Sequence, residues 1–175
     1  KLLGVRNYIM QYMFNTPSGI SMEMDLAKML AKIDLIETLN DSDFNSYRMI
    51  RTGLASLNQD PDIAKGQLAS SISIAMVLRP HIVHVVGFSE GDHLANADEV
   101  IESCKIARGA ILNCLNGLPD MISSKRIISR KKELVQEANL LINEIKKLKI
   151  GEKDPLIDPV VITNAIKLGL LDAPL

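Results

Sequence analysis

The chain has no tryptophan, and its six aromatic residues are three tyrosines and three phenylalanines. The stacking platforms on which a protein holds single-stranded nucleic acid therefore cannot be built in quantity. Nor is there an excess of charge: 20 basic and 21 acidic residues leave a net charge of -1, which gives no reason to expect a nucleic-acid partner or a polyanionic surface. Cysteine is scarce. Cys104 and Cys114 lie ten residues apart in one helical pattern, too far to bridge and matching no metal spacing, and both read as buried thiols of a reducing compartment. No apolar run reaches the roughly 18 residues of a membrane span and no signal peptide is evident, so the expectation is a cytoplasmic protein with no membrane partner. The sequence also lacks G-x-G-x-x-G, the Walker loop, C-x-x-C and G-x-S-x-G, which leaves nucleotide fingerprints, redox dithiols and elbow nucleophiles unsupported.

What is present is alternation. Tyr8 to Phe14 reads as a strand and is followed by the turn formers Asn15 to Gly19. Leu26, Met29, Leu30, Ile33 and Ile36 then recur at helical spacing. Tyr47 to Gly53 is a second strand, carrying Arg48 and Arg51. Asp62 to Leu78 is a second helix, whose small residues suggest close packing on a sheet. The uncharged run His81 to Gly87 reads as a third strand, covered on both faces as parallel strands are, with His84 a core histidine. A helix beginning at Asn96 or Asp98 follows, with Val100, Ile101, Cys104, Ala107, Ile111, Cys114 and Leu115 on its apolar face. Ser124 to Lys149 is the strongest helix in the chain, and a last short one spans Val160 to Leu168.

Three strand-helix units in succession imply an α/β fold with parallel strands and right-handed crossovers. Residues 1–120 hold these units, and 121–175 form a helical extension packing on them. At 175 residues the chain is short for a complete (β/α)8 barrel, which takes about 250. It opens at Lys1 without a methionine and reaches a strand within a few residues, so it reads as part of something longer. An open doubly wound sheet fits the same order of elements.

In such folds functional groups collect beyond the carboxyl ends of the strands. There Ser89, Glu90, Asp92 and His93 follow the third strand. A carboxylate beside an imidazole could serve general acid/base chemistry; the plainer reading is a solvated loop that caps the next helix. Arg51, near the end of the second strand, would offer a bidentate donor to a carboxylate or phosphate, although a surface arginine on an edge strand accounts for it as well.

The stretch GVRN at Gly4 to Asn7, the run from Asp60 to Val86, Glu90, and the ending LGLLDAPL from Leu168 together resemble the large (epsilon) subunit of glutamate mutase, or methylaspartate mutase, and related adenosylcobalamin-dependent enzymes. The resemblance implies part of a TIM barrel whose carboxyl-terminal rim faces the corrin of adenosylcobalamin, with the cobalamin-binding part in a separate subunit or domain and a small acid as substrate. The absence of an Asp-x-His-x-x-Gly axial-ligand motif agrees with that division. It further implies that Glu90 holds the ribose of the adenosyl group, and that Arg51, Thr52 and Ser89 lie on the cofactor-facing rim. The family's assisting lysine, four residues before the glutamate, is replaced here by Val86. Its substrate-gripping arginines and catalytic acid precede the matched region, so no catalytic residue carries over. Two rival readings remain: a barrel relative with another ligand, and a helical interaction module built on Ser124 to Lys149.

Overall fold

The structure, a computed structural model, describes residues 1–172; the last three residues of the LGLLDAPL ending lie outside them. The elements run β1 (Asn7–Phe14), α1 (Met22–Glu37), β2 (Asn45–Thr52), α2 (Pro61–Ala75), β3 (Ile82–Val83), α3 (Ala97–Leu115), α4 (Lys125–Lys147) and α5 (Pro159–Lys167). Short 3-10 turns fall at Leu54–Ser56, Met76–Leu78 and Phe88–Gly91. Side-chain caps start most of the helices. Ser21 accepts the Met24 N–H for α1, Asp60 those of Asp62 and Ile63 for α2, and Asp158 that of Val160 for α5. Proline at the first position of α2 and α5 loses no intrahelical bond there. None of the described helices is long and apolar enough to cross a membrane.

The three strands form one open parallel sheet in the order β1-β2-β3, with Asn7 opposite Asn45, Phe14 opposite Thr52 and Ile50 opposite Val83. Both crossovers step in the same direction, so their right-handedness places α1 and α2 on one side of the sheet. Alternation along the strands matches this arrangement. Met10, Tyr12, Phe14 and Ile50 are buried with Leu26, Met29 and Ile33 of α1, with Ala75 at the end of α2 and with Leu78 in the turn after it. Among the described residues the opposite face has no cover: Ile9, Met13, Tyr47 and Ile82 are exposed, and Met49 and Arg51 only half-buried. All-parallel sheets are ordinarily covered on both faces.

Three (β/α) units are thus present, and their sheet is open rather than closed. The third strand corrects the sequence expectation. Only Ile82 and Val83 pair, and His81, Ile82 and His84 are exposed. A run of β-branched residues becomes a two-sided core strand only with a neighbour beyond it and a layer on each face. Here it is the sheet edge and has a layer on one face. Val86 and Gly87 leave the sheet and bury themselves against α2 and α3 instead, with Val86 among Leu68, Ile72 and Ala107. His84 is accordingly not a core histidine.

Helix α3 is rotated relative to its expected apolar stripe. Ser103, Ala107, Ala110 and Cys114 are buried, whereas Val100, Ile101 and Leu115 are exposed. The small residues let α3 approach Ala64 and Leu68 of α2 closely, an approach the larger side chains would block. Cys104 lies on the outer side and is exposed, so only Cys114 is the buried thiol expected of both. Helix α4 returns to the other flank and lies along α1. Ile127 is buried there and Leu134 partly so, with Lys131 paired to Asp34 at 2.9 Å and Arg126 to Glu23 at 3.1 Å. Its far end packs Ile145 against Val161 and Ala165 of α5.

Candidate functional site

Because the strands are parallel, the loops after all three open at the same end. The first is held by a buried acid. Asp25, in the first turn of α1 and 4% exposed, accepts the Asn15 N–H at 2.6 Å through Oδ2 and pairs with Lys28 Nζ at 2.8 Å through Oδ1. Lys28 also donates to the Thr16 carbonyl at 2.6 Å. Asn15 is thereby held with φ at 54°, a left-handed conformation that Asn tolerates better than most residues. The Ser56 hydroxyl donates to the Asn15 carbonyl, tying the second loop to the first.

Glycines let these loops touch. Gly53 donates its N–H to Phe14 O at 2.9 Å, and a Cβ placed on it would collide with Thr16 Oγ1. Gly91 sits against Leu57, where a Cβ would come within 2.8 Å of the carbonyl oxygen. The first loop therefore abuts the second, and the second abuts the third.

The third loop is organised by α3. The Phe88 N–H donates to Ser103 Oγ at 3.0 Å, and that buried hydroxyl donates to Glu99 O at 2.7 Å. Asn96 and Glu99 form a capping box: Asn96 Oδ1 accepts the Glu99 N–H at 3.0 Å and Glu99 Oε2 accepts the Asn96 N–H at 2.8 Å. The same Oε2 accepts from Ser89 Oγ at 3.0 Å, while Glu99 Oε1 lies 3.0 Å from His93 Nε2. His93 Nδ1 is 3.0 Å from Asp92 Oδ2. Hydrogen bonding to Asp92, and then to Glu99, raises the His93 pKa above the ordinary imidazole value. The Asn96 N–H, and then His93, hold the Glu99 carboxyl below its usual range.

The predicted site residues separate in space. Glu90 is exposed in the Phe88–Gly91 turn, where its Oε1 accepts the Gly87 N–H at 2.7 Å; among the described residues its Oε2 receives no hydrogen bond. Ser89 is buried and engaged with Glu99. Arg51 stands on the bare sheet face, with only a long 3.4 Å contact from Nε to Thr52 O and no carboxylate partner among the described residues. Thr52, the next residue, points the opposite way. It is 1% exposed on the helix-covered face, and its hydroxyl has no partner among the described residues. A ligand on the bare face could meet Arg51 but not the Thr52 hydroxyl. Asp92 and His93 do come together, with Glu99 rather than with Glu90. Arg48, the other strand arginine, is structural: it grips Glu37 with two bonds of 2.7 and 2.9 Å at the opposite end of the sheet.

Sequence reasoning missed Asp25, Ser103 and Glu99. For Glu99 a signal existed in Asn96-x-x-Glu99, which is capping-box spacing. A cavity of about 170 Å³ lies between the first loop and α2, bordered by Asn15, Asp25, Gln67 and Ser71. The described residues contain no cluster of three or more histidine, cysteine or acidic side chains able to hold a metal. No protein-family model matches the chain, and no curated protein matches it either.

Proposed function

We propose that this chain is part of the barrel subunit of an adenosylcobalamin-dependent carbon-skeleton isomerase related to glutamate mutase, acting in the cytoplasm on a small acid. The observation that carries the reading is the one-sided sheet. Parallel strands that step in one direction under helices on one face, with large apolar side chains left bare on the other, are what a segment of a (β/α)8 barrel presents when seen alone. Further strands of the same barrel would cover Ile9, Met13, Tyr47 and Ile82 as its interior. The loops holding Glu90 would then stand at its mouth.

The residues at that mouth suit the adenosyl part of the cofactor. Glu90 keeps one oxygen for a ribose hydroxyl, and Met13 and Met49 offer an apolar floor. Arg51, without a carboxylate partner among the described residues, offers a donor for an anionic group. The corrin itself would be held by a separate cobalamin-binding subunit or domain. When bound, the cofactor supplies a radical by homolysis of its cobalt–carbon bond; this chain's part is to orient the nucleoside and exclude water.

The test is Glu90→Gln in the enzyme assembled with its cobalamin-binding partner. Removing the charge from one hydrogen-bond acceptor is worth about 1.5–3 kcal/mol, so adenosylcobalamin-dependent turnover should fall roughly 10- to 100-fold with folding intact. Unchanged turnover would count against the reading. One observation favours a second possibility, a barrel relative with another ligand. Val86 stands where the family has its lysine, and its side chain is 2% exposed, packed toward α2 and α3 rather than toward the mouth. Titration with cobalamin, followed by its absorption spectrum, separates the two: the second possibility predicts no spectral change.

A further inference from the structure

The turn that presents Glu90 lies beyond the last paired residue of β3, so the sheet does not hold it; α3 does. Phe88 and Ser89 each make one bond to that helix, to Ser103 and Glu99, and Glu99 gathers Ser89, Asn96 and His93 on its two oxygens. The imidazole of His93 has a carboxylate oxygen 3.0 Å from each ring nitrogen, one from Asp92 and one from Glu99. Only an imidazolium can donate both bonds; the neutral ring carries a single N–H and must turn a lone pair toward one of the two carboxylates. We infer that His93 is a positioning residue, whose imidazolium fastens the Ser89–Glu90 turn to the first turn of α3 by bridging Asp92 and Glu99.

The surrounding charges favour this state. Asp98 lies in the same first turn of α3. Glu90 lies in the 3-10 turn with its carboxylate directed to the Gly87 N–H. From α2 the nearest cation is Lys65, which is occupied by Glu102 at 2.8 Å and lies 4.6 Å from the centre of the Phe88 ring. The Leu54–Ser56 turn contributes no charged group. Two backbone bonds report on the fastening, since the N–H groups of Asp92 and His93 both donate to the Ser89 carbonyl at 2.9 Å. What the turn offers a ligand rests on the reading of Glu90 given above; the fastening itself does not.

The experiment is a pH titration of the 175-residue chain by NMR from acid to mildly alkaline conditions, following the His93 ring and the amide exchange of Asp92 and His93. His93→Gln and Glu99→Gln are run in parallel, with 5′-deoxyadenosine as a nucleoside probe. The His93 ring should titrate above 6.5. As it loses its proton, the protection factors of the two amides should fall roughly three- to tenfold, the range for one hydrogen bond. That step should vanish in both variants, of which Glu99→Gln retains the capping-box geometry. A ring titrating at its ordinary value, with protection in His93→Gln equal to that of the parent, overturns the inference. If the step is present but the nucleoside binds at no pH, the fastening stands and the reading of Glu90 falls. If the nucleoside binds with an affinity that is flat across the titration and unchanged in His93→Gln, the positioning role is overturned and the reading of Glu90 survives.

Discussion

Asp25 and Lys28 hold the loop after β1, and replacing them singly and together should give unequal costs. In Asp25→Ala the Asn15 N–H loses its acceptor, a penalty of about 1–3 kcal/mol, together with a charge-assisted bond. Lys28, whose side chain is 29% exposed, can swing into water and recover its hydration. The net loss should be about 2–4 kcal/mol. Lys28→Met leaves a carboxylate at 4% exposure with a single N–H donor, the situation in which breaking a buried pair costs about 3–5 kcal/mol. The double variant Asp25→Asn with Lys28→Met removes both charges while keeping an amide oxygen for Asn15, so it should lie within about 1.5 kcal/mol of the parent. Urea unfolding followed by circular dichroism gives the three values, provided the slope m stays constant. At about 2–4 °C per kcal/mol for a domain of this size, Lys28→Met should lower Tm by roughly 6–20 °C. A double variant as costly as Lys28→Met alone would refute the pairing, as would an Asp25→Ala cost below about 1 kcal/mol.

Gly53→Ala should destabilise by about 1–3 kcal/mol through overpacking alone, because its φ of -74° suits any residue while the new Cβ would meet Thr16 and lie 3.1 Å from Phe14 O. In a Thr16→Ala background most of that loss should disappear from the thermal midpoint. Ala107→Leu, at 1% exposure between α3 and α2, should cost about 1–3 kcal/mol or more in urea, whereas the exposed Leu115→Lys should change stability by less than about 0.5 kcal/mol. The raised pKa of His93 makes its contribution to stability fully present below the ordinary imidazole value of 6.5 and lost as pH climbs through the higher folded value. The urea midpoint of His93→Gln should therefore be flatter than that of the parent above pH 6.5, and parallel curves would speak against the bridge.

The elements most legible in the sequence were those whose burial is decided locally. β1, expected over Tyr8 to Phe14, spans Asn7–Phe14, and the helical stripe from Leu26 to Ile36 falls within α1, Met22–Glu37. The run after Pro80 reads as a full strand but pairs over only Ile82–Val83, because β-branched composition reports how apolar a segment is, whereas the length of a strand depends on a neighbour to pair with. The buried face of α3 departs from its apolar stripe for a related reason: helix contact selects Ser103, Ala107 and Ala110 for their smallness, and periodicity weighs large residues most. At the rim, Glu90, Asp92 and His93 were visible as a sudden polar cluster. The residue that gathers His93 and Ser89, Glu99, lies inside the next helix, where an acid passes for a first-turn residue. Asp25 was hidden more deeply, since its main partner is a backbone N–H ten residues away, which no side-chain pattern records.

The rim and the bare sheet face are built independently, and this bears on how a ligand would be met. Every contact that fixes the three loops comes from the helix side or from loop against loop: Asp25 on Asn15, Gly53 on Thr16, Gly91 on Leu57, and Glu99 on Ser89. None of these contacts uses a residue of the uncovered face. Covering Ile9, Tyr47 and Ile82 with further strands would therefore leave these fixing contacts in place, and a ligand entering there would meet groups already held in position. The ordering cost is then met on folding rather than on binding. The one joint in this scheme that depends on a proton is His93, so the third loop is where the rim should loosen first as pH rises.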